Sequence, residues 1–374
     1  MARARDQDAC PGALQLHRAA DGALARVRLP GGMISPRQLE ALAHAATRFG
    51  SPAMELTSRG NIQIRGIRDD EGGLALADAV AAAGLLPSPT HERVRNIVAS
   101  PLSGRLGGSA DVRDSVRLLD AAICAEPALA DLPGRFWFSI DDGRGDVSGL
   151  CADVGAHALG DTVAVLLAGR DTGVRIAPPD VVATLISIAR RFVEIRESAW
   201  RVAELADVSP LTHGLARSAE PGRTWPAVTR PQVGWLTQDD ERVTLAGAVP
   251  LGVLQARVAE YLAAVDAPIV VTPWRSLLVC DLDEGVADTA LRVLAPMGLV
   301  FDDGSPWLDV SACTGSPGCE HSAADVRADA ARAVEDAAAV HRHFVGCERA
   351  CGSPPDGEVL IATADGYVLR TASP

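Results

Sequence analysis

The feature that most limits what this chain can fold into is an internal duplication. The segment from Arg26, RVRLPGGMISPRQLEALAHAATRFGSPAMELTSRGNIQI, aligns without gaps with that from Arg242, RVTLAGAVPLGVLQARVAEYLAAVDAPIVVTPWRSLLVC. Arg26, Val27, Leu29, Gly31, Pro52 and Arg59 fall on Arg242, Val243, Leu245, Gly247, Pro268 and Arg275. Each copy reads strand, helix, strand, strand. In the first, Ser35 is an N-cap, Pro36 takes the first helical position, Leu39, Leu42, Ala43 and Ala46 make the apolar stripe, and Gly50 ends the helix. In the second, Leu254, Val258, Leu262 and Val265 make the stripe. Each half-unit is too small to bury its sheet alone, so the copies are expected to pair about a pseudo-two-fold axis.

Behind each copy comes a second kind of unit. DVGAHALGDTVAVLLAGRDTGVRI in the first faintly matches GEVLIATADGYVLR in the last, so these units also read as duplicates. The expected order is A–B–A′–B′ in an α+β chain, with units at 10–90, 91–205, 232–300 and 301–374. A Pro-rich linker at 206–231 joins the halves.

At 374 residues and 48% hydrophobic the chain can build real cores, which excludes disorder as its main state. No apolar run approaches a membrane span, and MARARDQDAC lacks a secretory h-region, so a cytosolic protein with no membrane partner is expected. The net charge is −13, and every basic residue is arginine, with no lysine. A negative surface with dispersed arginines argues against a nucleic-acid partner. It leaves room for an anionic ligand wherever arginines converge.

Eight cysteines in a reducing compartment are core filler, metal ligands or catalytic groups. Cys124 sits in a helical pattern and Cys280 in a strand-like run, where a small buried hydrophobe is the expected reading. Cys151 defaults to structure, and Cys10, in DACPG near a loose terminus, is undecided. The other four form two clips, Cys313-TGSPG-Cys319 and Cys347-ERA-Cys351, embedded in Gly, Pro and Ser with a helical stretch, SAADVRADAARAVEDAAAV, between them. Such loops turn thiolates inward around a metal. The spacing suits a [4Fe–4S] cluster better than structural zinc, whose clips are usually tighter, with buried unligated thiols a third reading.

Alternation in RGNIQIRG puts Ile62 and Ile64 on one strand face and Arg59, Asn61, Gln63 and Arg65 on the other, provided the strand already holds Arg59. A solvated outer face is the bland alternative, but solvated faces usually mix in acids and this one has none. HERVRNIVASP adds Arg93, Arg95 and Asn96. LPGRFWFSID puts Arg135, Trp137 and Ser139 opposite Phe136, Phe138 and Ile140. Arginine suits bidentate carboxylate recognition. The strand after Arg275 offers mostly Leu and Val, which places ligand binding on the first repeat.

The A–B–A′–B′ order, LTSRGNIQIRG, the RN pair and Cys-x5-Cys followed by Gly-Cys-x3-Cys resemble the sirohaem-type nitrite and sulfite reductase superfamily over nearly the whole chain. The departure is Leu360, where a small residue is usual. The resemblance implies two ferredoxin-like half-domains and two cluster- or tetrapyrrole-binding α/β units. It implies a [4Fe–4S] cluster on Cys313, Cys319, Cys347 and Cys351, and tetrapyrrole carboxylates held by Arg59, Asn61, Gln63, Arg65, Arg95, Asn96, Arg135 and Trp137. Reductases carry two lysines in their LP-x-x-F segment, where this chain has Arg135 and Trp137. Oxyanion reduction needs cations that neutralise the anion and deliver protons, so a tryptophan at one of those positions undermines that chemistry. Trp137 either stacks on a macrocycle or fills core.

CPG, DGALARVRLPGG, VGW at 233–235 and TPWR at 272–275 look most like the branch that oxygenates a cobalamin precursor. That branch implies O2-dependent hydroxylation of a precorrin at its C20 meso carbon with lactone closure. Its electrons come from NADH, a donor protein is a further possible partner, and a mononuclear non-haem iron activates O2. His341 and His343, and His321 beside Cys319, are the imidazoles nearest the cluster cysteines, and a helix C-terminus attracts histidine for dipole reasons alone. His213 is expected in solvent. The alternatives are a sirohaem-dependent nitrite or sulfite reductase, and a non-catalytic metal-bound module that binds a tetrapyrrole.

Overall fold

The computed structural model describes residues 10–336, 340–354 and 356–370. The first half-unit runs β1 (His17–Ala19), β2 (Gly22–Val27), β3 (Met33–Ile34), α1 (Pro36–Phe49), β4 (Ala53–Leu56), β5 (Ile62–Ile67) and α2 (Asp70–Ala82). The unit behind it runs β6 (Ile97–Ala99), α3 (Arg113–Ala125), β7 (Phe138–Asp141), β8 (Val154–Ala158), β9 (Val163–Leu167), β10 (Arg170–Ile176) and α4 (Val181–Ile195). The second half-unit comprises β11 (Gly234–Thr237), β12 (Val243–Ala248), β13 (Val253–Gln255), α5 (Ala256–Ala264), β14 (Ile269–Val271), β15 (Ser276–Leu282) and α6 (Glu284–Leu294). The last unit holds β16 (Val310–Ala312), α7 (Val326–Ala333), β17 (Arg342–Val345), β18 (Glu358–Thr363) and β19 (Gly366–Leu369). No helix among the described residues is long and apolar enough to cross a membrane.

Helix α1 begins where local chemistry dictates. Ser35 Oγ accepts from Gln38 N, and Gln38 Oε1 accepts from Ser35 N, a full capping box ahead of Pro36. Its stripe of Leu39, Leu42, Ala43 and Ala46 is buried against α5. The two half-units exchange strands. One sheet has the order β1-β2-β5-β4-β13 and the other β11-β12-β15-β14-β3, so each copy supplies an edge strand to its partner's sheet. A single apolar core, from Leu39 and Ile62 to Leu262 and Val279, runs through both. That exchange explains Gly32 and Gly60. Both have positive φ, and a Cβ would lie 1.9 Å from Val271 O at Gly32 and 2.8 Å from it at Gly60.

The gapless repeat alignment needs correcting. Pro30-Gly31-Gly32 and Pro250-Leu251-Gly252 are equivalent turns before the swapped strands, four residues out of that register. In the turn before the last strand, Thr57 N donates to Asn61 O and Thr272 N to Ser276 O. Gly60 (φ 65) therefore matches Arg275 (φ 58), and Arg59 matches Trp274. Leu254 belongs to β13 rather than to the α5 stripe, and Val265 is the C-cap of α5.

The two rear units are also copies. β6, β7 and β8 are parallel with β9 antiparallel, and β16, β17 and β18 repeat this with β19. In the first, Phe136 is wholly buried with ring centroids 5.3 Å from Phe138 and 4.8 Å from Phe192. Burial of each such ring stabilises by roughly 1.5–3 kcal/mol. Only eight residues, α7, are helical in the stretch between the cysteine clips, of which 337–339 lie outside the described residues. Leu360 packs on the small core of the last unit. The 206–231 segment is more than a linker: Leu211 is buried, Trp225 lies 4.4 Å from the His157 ring, and Val228 O accepts from Trp274 Nε1. His213 is exposed.

Asp141, Asp142 and Asp146 gather within 4.8 Å of one another after β7. Burial, with Asp141 and Asp142 beside it, pushes Asp146 up to about 7. An unfolded aspartate titrates near pH ~3.9. Between those values the folded chain keeps a proton the unfolded chain has released, so stability falls as pH rises through that window. Asp146→Asn keeps the acceptor for Ser100 Oγ (2.6 Å). It should remove that slope and stabilise the protein at pH 8 by on the order of 3 kcal/mol, read by denaturant unfolding at pH 5 and pH 8. A wild-type slope that persists in the variant rules Asp146 out as its source.

Candidate functional site

Strand β2 alternates as β5 does, and the two pair directly, Arg26 opposite Gln63. This puts Arg26 and Arg28 on the face that carries Asn61, Gln63 and Arg65. Arg59 is not on that strand. It sits in the turn ahead of it, because Gly60 takes a left-handed conformation that breaks the alternation.

Arg26 donates to Gln63 Oε1 from Nε (3.2 Å) and Nη2 (2.7 Å), and Gln63 Nε2 donates to Glu55 Oε2. Arg28, 2% exposed, donates to Arg93 O and Pro11 O, while its Nη1 is buried with no hydrogen-bond partner among the described residues. Arg59 has no side-chain hydrogen bond among them. Its guanidinium lies 5.6 Å from the Trp137 ring, and Arg201 lies over the same ring at 6.0 Å. Burial, then Arg26 and Arg59, push Arg28 down to about 9, and burial, then Arg201, push Arg59 down to about 10. None of Arg26, Arg28 and Arg59 has a carboxylate partner within 4.0 Å among the described residues. A buried cation, Arg28, and two half-buried ones, Arg26 and Arg59, in that state are biased towards an anion.

The acid-free face expected from the sequence is corrected on its other side. Arg65 is bidentate to Asp21 (3.0 and 2.8 Å), and Glu55 on β4 accepts from Gln63 and from Arg327 Nη2. Arg65 Nη2 also donates to Gly318 O at 2.7 Å, beside Cys319. One network therefore runs from Arg26 through Gln63 and Glu55 to the first cysteine loop. Asn61 and Asn96 are structural: Asn61 Oδ1 accepts from Leu29 N, and Asn96 Nδ2 donates to the carbonyls of Arg93, Gly134 and Phe136. Arg95 is bidentate to Asp120 (2.7 and 2.8 Å) and lines a separate cavity of about 800 Å³, which Arg28 also borders. Arg135 does not join the others. It lies in a turn before β7, exposed, over the Trp200 ring. Trp137 packs with Val98, Val147 and Ala152, and its buried Nε1 has no partner among the described residues.

Cys313, Cys319, Cys347 and Cys351 line one cavity of about 540 Å³ together with Arg65 and His321. Partial desolvation, then the charge of Cys313, Cys347 and Cys319, raises the thiol of solvent-exposed Cys351 above its ordinary value. No three of these sulfurs lie within 4.8 Å of one another. Around one zinc ion, with Zn–S about 2.3 Å, sulfurs sit only ~3.8 Å apart. Gly346 N donates to Cys313 Sγ at 3.3 Å, as backbone amides do around clusters.

His341 and His343 fit an iron site poorly. Ser311 Oγ lies 2.7 Å from His341 Nε2 and 2.7 Å from His343 Nδ1, while their remaining nitrogens face Leu308 O and Cys351 O. Burial lowers both, His343 to about 4. His321 faces Glu320 at 3.3 Å.

A second cavity, about 200 Å³, lies between the units and is lined by Ser58, Leu150, Trp274, Arg275, His341 and Gly352. Half-buried Arg275 reaches the second cysteine loop: a Cβ on Gly352 would lie 2.7 Å from its Nη2. The site residues that the sequence reading missed are Arg26, Arg28, Glu55, Arg201 and Arg275. The R-V-R alternation before LPGG would have found the first two.

Residues 17–73 match the nitrite/sulfite reductase ferredoxin-like half domain family. The chain is 27% identical to a precorrin-3B synthase from a Sinorhizobium species, over 96% of this chain and 82% of that protein. It is 31% identical to a ferredoxin–nitrite reductase from Synechococcus elongatus over 128 residues, 32% of this chain and 25% of that one. Among solved structures, the NirA protein of Mycobacterium tuberculosis superposes with a TM-score of 0.75 at 18% identity, over 93% of this chain and 73% of that chain.

Proposed function

We propose that this chain, a member of the nitrite and sulfite reductase superfamily, is a precorrin-3B synthase that hydroxylates precorrin-3A at C20 with closure of a lactone. The observation that carries this reading is the trio of buried Arg28 and half-buried Arg26 and Arg59, without a carboxylate partner among the described residues and with Arg59 beside Trp137, in a chain related to precorrin-3B synthase over 96% of its length. Guanidiniums without a carboxylate partner among the described residues suit the acetate and propionate groups of a tetrapyrrole. The unpartnered Arg28 Nη1 and Trp137 Nε1 are donors such a ligand satisfies.

A [4Fe–4S] cluster held by Cys313, Cys319, Cys347 and Cys351 would supply single electrons, drawn from NADH or through a donor protein. Arg65 and Arg275 hold the two cysteine loops from below. Arg59 and Trp137 orient the macrocycle through charge and ring contact, and Val98, Val147 and Ala152 keep water from that ring. No step is assigned to an iron on His341 and His343, whose nitrogens are all engaged.

The test is aerobic turnover of precorrin-3A by the anaerobically purified protein under labelled O2. Incorporation of one labelled oxygen atom is expected, with only broad iron–sulfur absorption from the protein. A tightly bound sirohaem spectrum with sulfite or nitrite turnover would overturn the assignment. Binding of the tetrapyrrole without turnover would instead indicate a carrier.

A further inference from the structure

We propose that Arg201 is a specificity-determining residue which, together with Arg59, reads the acetate and propionate borne side by side on one pyrrole ring, so that the site selects uroporphyrin-type tetrapyrroles over those whose rings carry propionate alone. This deepens the functional reading above and rests on it for the class of ligand. What carries it is the arrangement at Trp137. Two guanidiniums lie over its ring, Arg59 at 5.6 Å and Arg201 at 6.0 Å.

The two cations are held in different ways. Arg201 is fixed: its Nε lies 2.8 and 2.7 Å from the two oxygens of Asp153, and its Nη2 donates to Cys151 O at 2.9 Å. Asp153 is buried and accepts also from Val202 N (2.7 Å) and Trp137 N (3.0 Å), while its own N donates to Trp137 O at 3.1 Å. One buried carboxylate therefore sets both the Arg201 fork and the backbone that carries the indole. A reciprocal pair lies alongside, with Arg135 over the Trp200 ring at 5.2 Å, so residues 200–201 are zipped to 135–137. Arg201 Nη1 makes no hydrogen bond among the described residues and the side chain is 28% exposed, which leaves its outer N–H groups to a ligand. Arg59 has no such tether, because its side chain makes no hydrogen bond among the described residues.

That contrast matches the two arms of a pyrrole. An acetate is shorter than a propionate by a methylene, so its carboxylate follows the macrocycle closely and suits a guanidinium that is already fixed. The longer propionate suits the untethered one. After burial, Arg201 is the largest influence that lowers Arg59, and a carboxylate on each guanidinium relieves that repulsion.

The probes are uroporphyrin, with an acetate and a propionate on every pyrrole, and coproporphyrin, in which methyls replace the acetates. Quenching of tryptophan fluorescence on the full chain gives a dissociation constant for each. The wild type should bind uroporphyrin roughly tenfold more tightly than coproporphyrin, the worth of a charge-assisted hydrogen bond. Arg201→Gln should bring the two within about twofold by weakening uroporphyrin alone, whereas Arg59→Gln should weaken both and leave their ratio near that of the wild type. Loss of stability lowers both affinities together, so the ratio separates recognition from folding. If Arg201→Gln fails to fold with Asp153 stripped of its counter-charge, Arg201→Lys keeps that charge, spends its ammonium on Asp153 and should likewise abolish the preference. A preference that survives in the Arg201 variant, or a wild type that shows none, overturns the proposal and leaves the tetrapyrrole site standing. Failure of the wild type to bind either porphyrin overturns this inference and the functional reading together.

Discussion

Cys351→Ser is expected to yield protein with less than about a tenth of the wild-type iron and acid-labile sulfide, and no precorrin-3A turnover. The four thiols share one cavity, and a serine hydroxyl is a hard, weakly acidic substitute for a thiolate. The loss should also reach the fold. The last unit has a small core, Val310, Ala312, Val326, Ala330, Val334, Phe344 and Ala362, and its cysteine loops contribute almost no apolar burial. A bound cluster would hold what packing does not, because ligand affinity adds to folding stability. The variant should therefore expose sites around 313–323 and 346–354 to protease while the rest of the chain stays resistant. Cys124→Ser, on α3 and away from the cavity, should leave the iron content unchanged. Full iron retention in Cys351→Ser, or zinc in place of iron in the wild type, would refute the cluster assignment.

Arg59→Ala should weaken uroporphyrin binding roughly 10- to 100-fold, since a hydrogen bond to a charged group contributes about 1.5–3 kcal/mol. It should do so with little effect on stability, moving the melting temperature by no more than about 2 °C. The reason lies in what Arg59 lacks: among the described residues its guanidinium has the Trp137 ring for company and no hydrogen bond. Arg275→Ala should behave in the opposite way. That half-buried side chain packs against Gly252 and Gly352, so its removal leaves a void beside the Cys351 loop and lowers the melting temperature and iron loading more than uroporphyrin affinity. Fluorescence titration and thermal melts on the two variants separate the effects. Equal losses of affinity would refute the placement of carboxylate recognition on the first repeat.

Local signals carried much of this architecture. Ser35, Pro36 and Gly50 bound α1 because capping is decided within one turn of chain. The two cysteine clips were legible for the same reason, since spacing and Gly, Pro and Ser content are properties of short segments. What failed was reasoning that carried a local pattern past a break. Alternation was extended backward from Ile62 to Arg59 across Gly60, and from Phe138 to Arg135 across the Pro133–Gly134 turn, and each time the chain leaves the strand there. The same alternation, applied to Arg26 on β2 and to Arg28 just past its end, would have succeeded.

By itself, then, the sequence determined the duplication, the alternating faces and the cysteine clips, all set by periodicity and near neighbours. Only the tertiary structure decided which arginines lack an internal anion. Arg65 and Arg95 are taken by Asp21 and Asp120, which lie 44 and 25 residues away along the chain, and Arg26, Arg28 and Arg59 are left without a carboxylate among the described residues. The strand exchange that presses Gly32 and Gly60 against Val271 O is likewise invisible to any single segment. Charge pairing and close approach depend on distance in space, and in a chain folded as two interlocked copies that distance is set by the partner repeat.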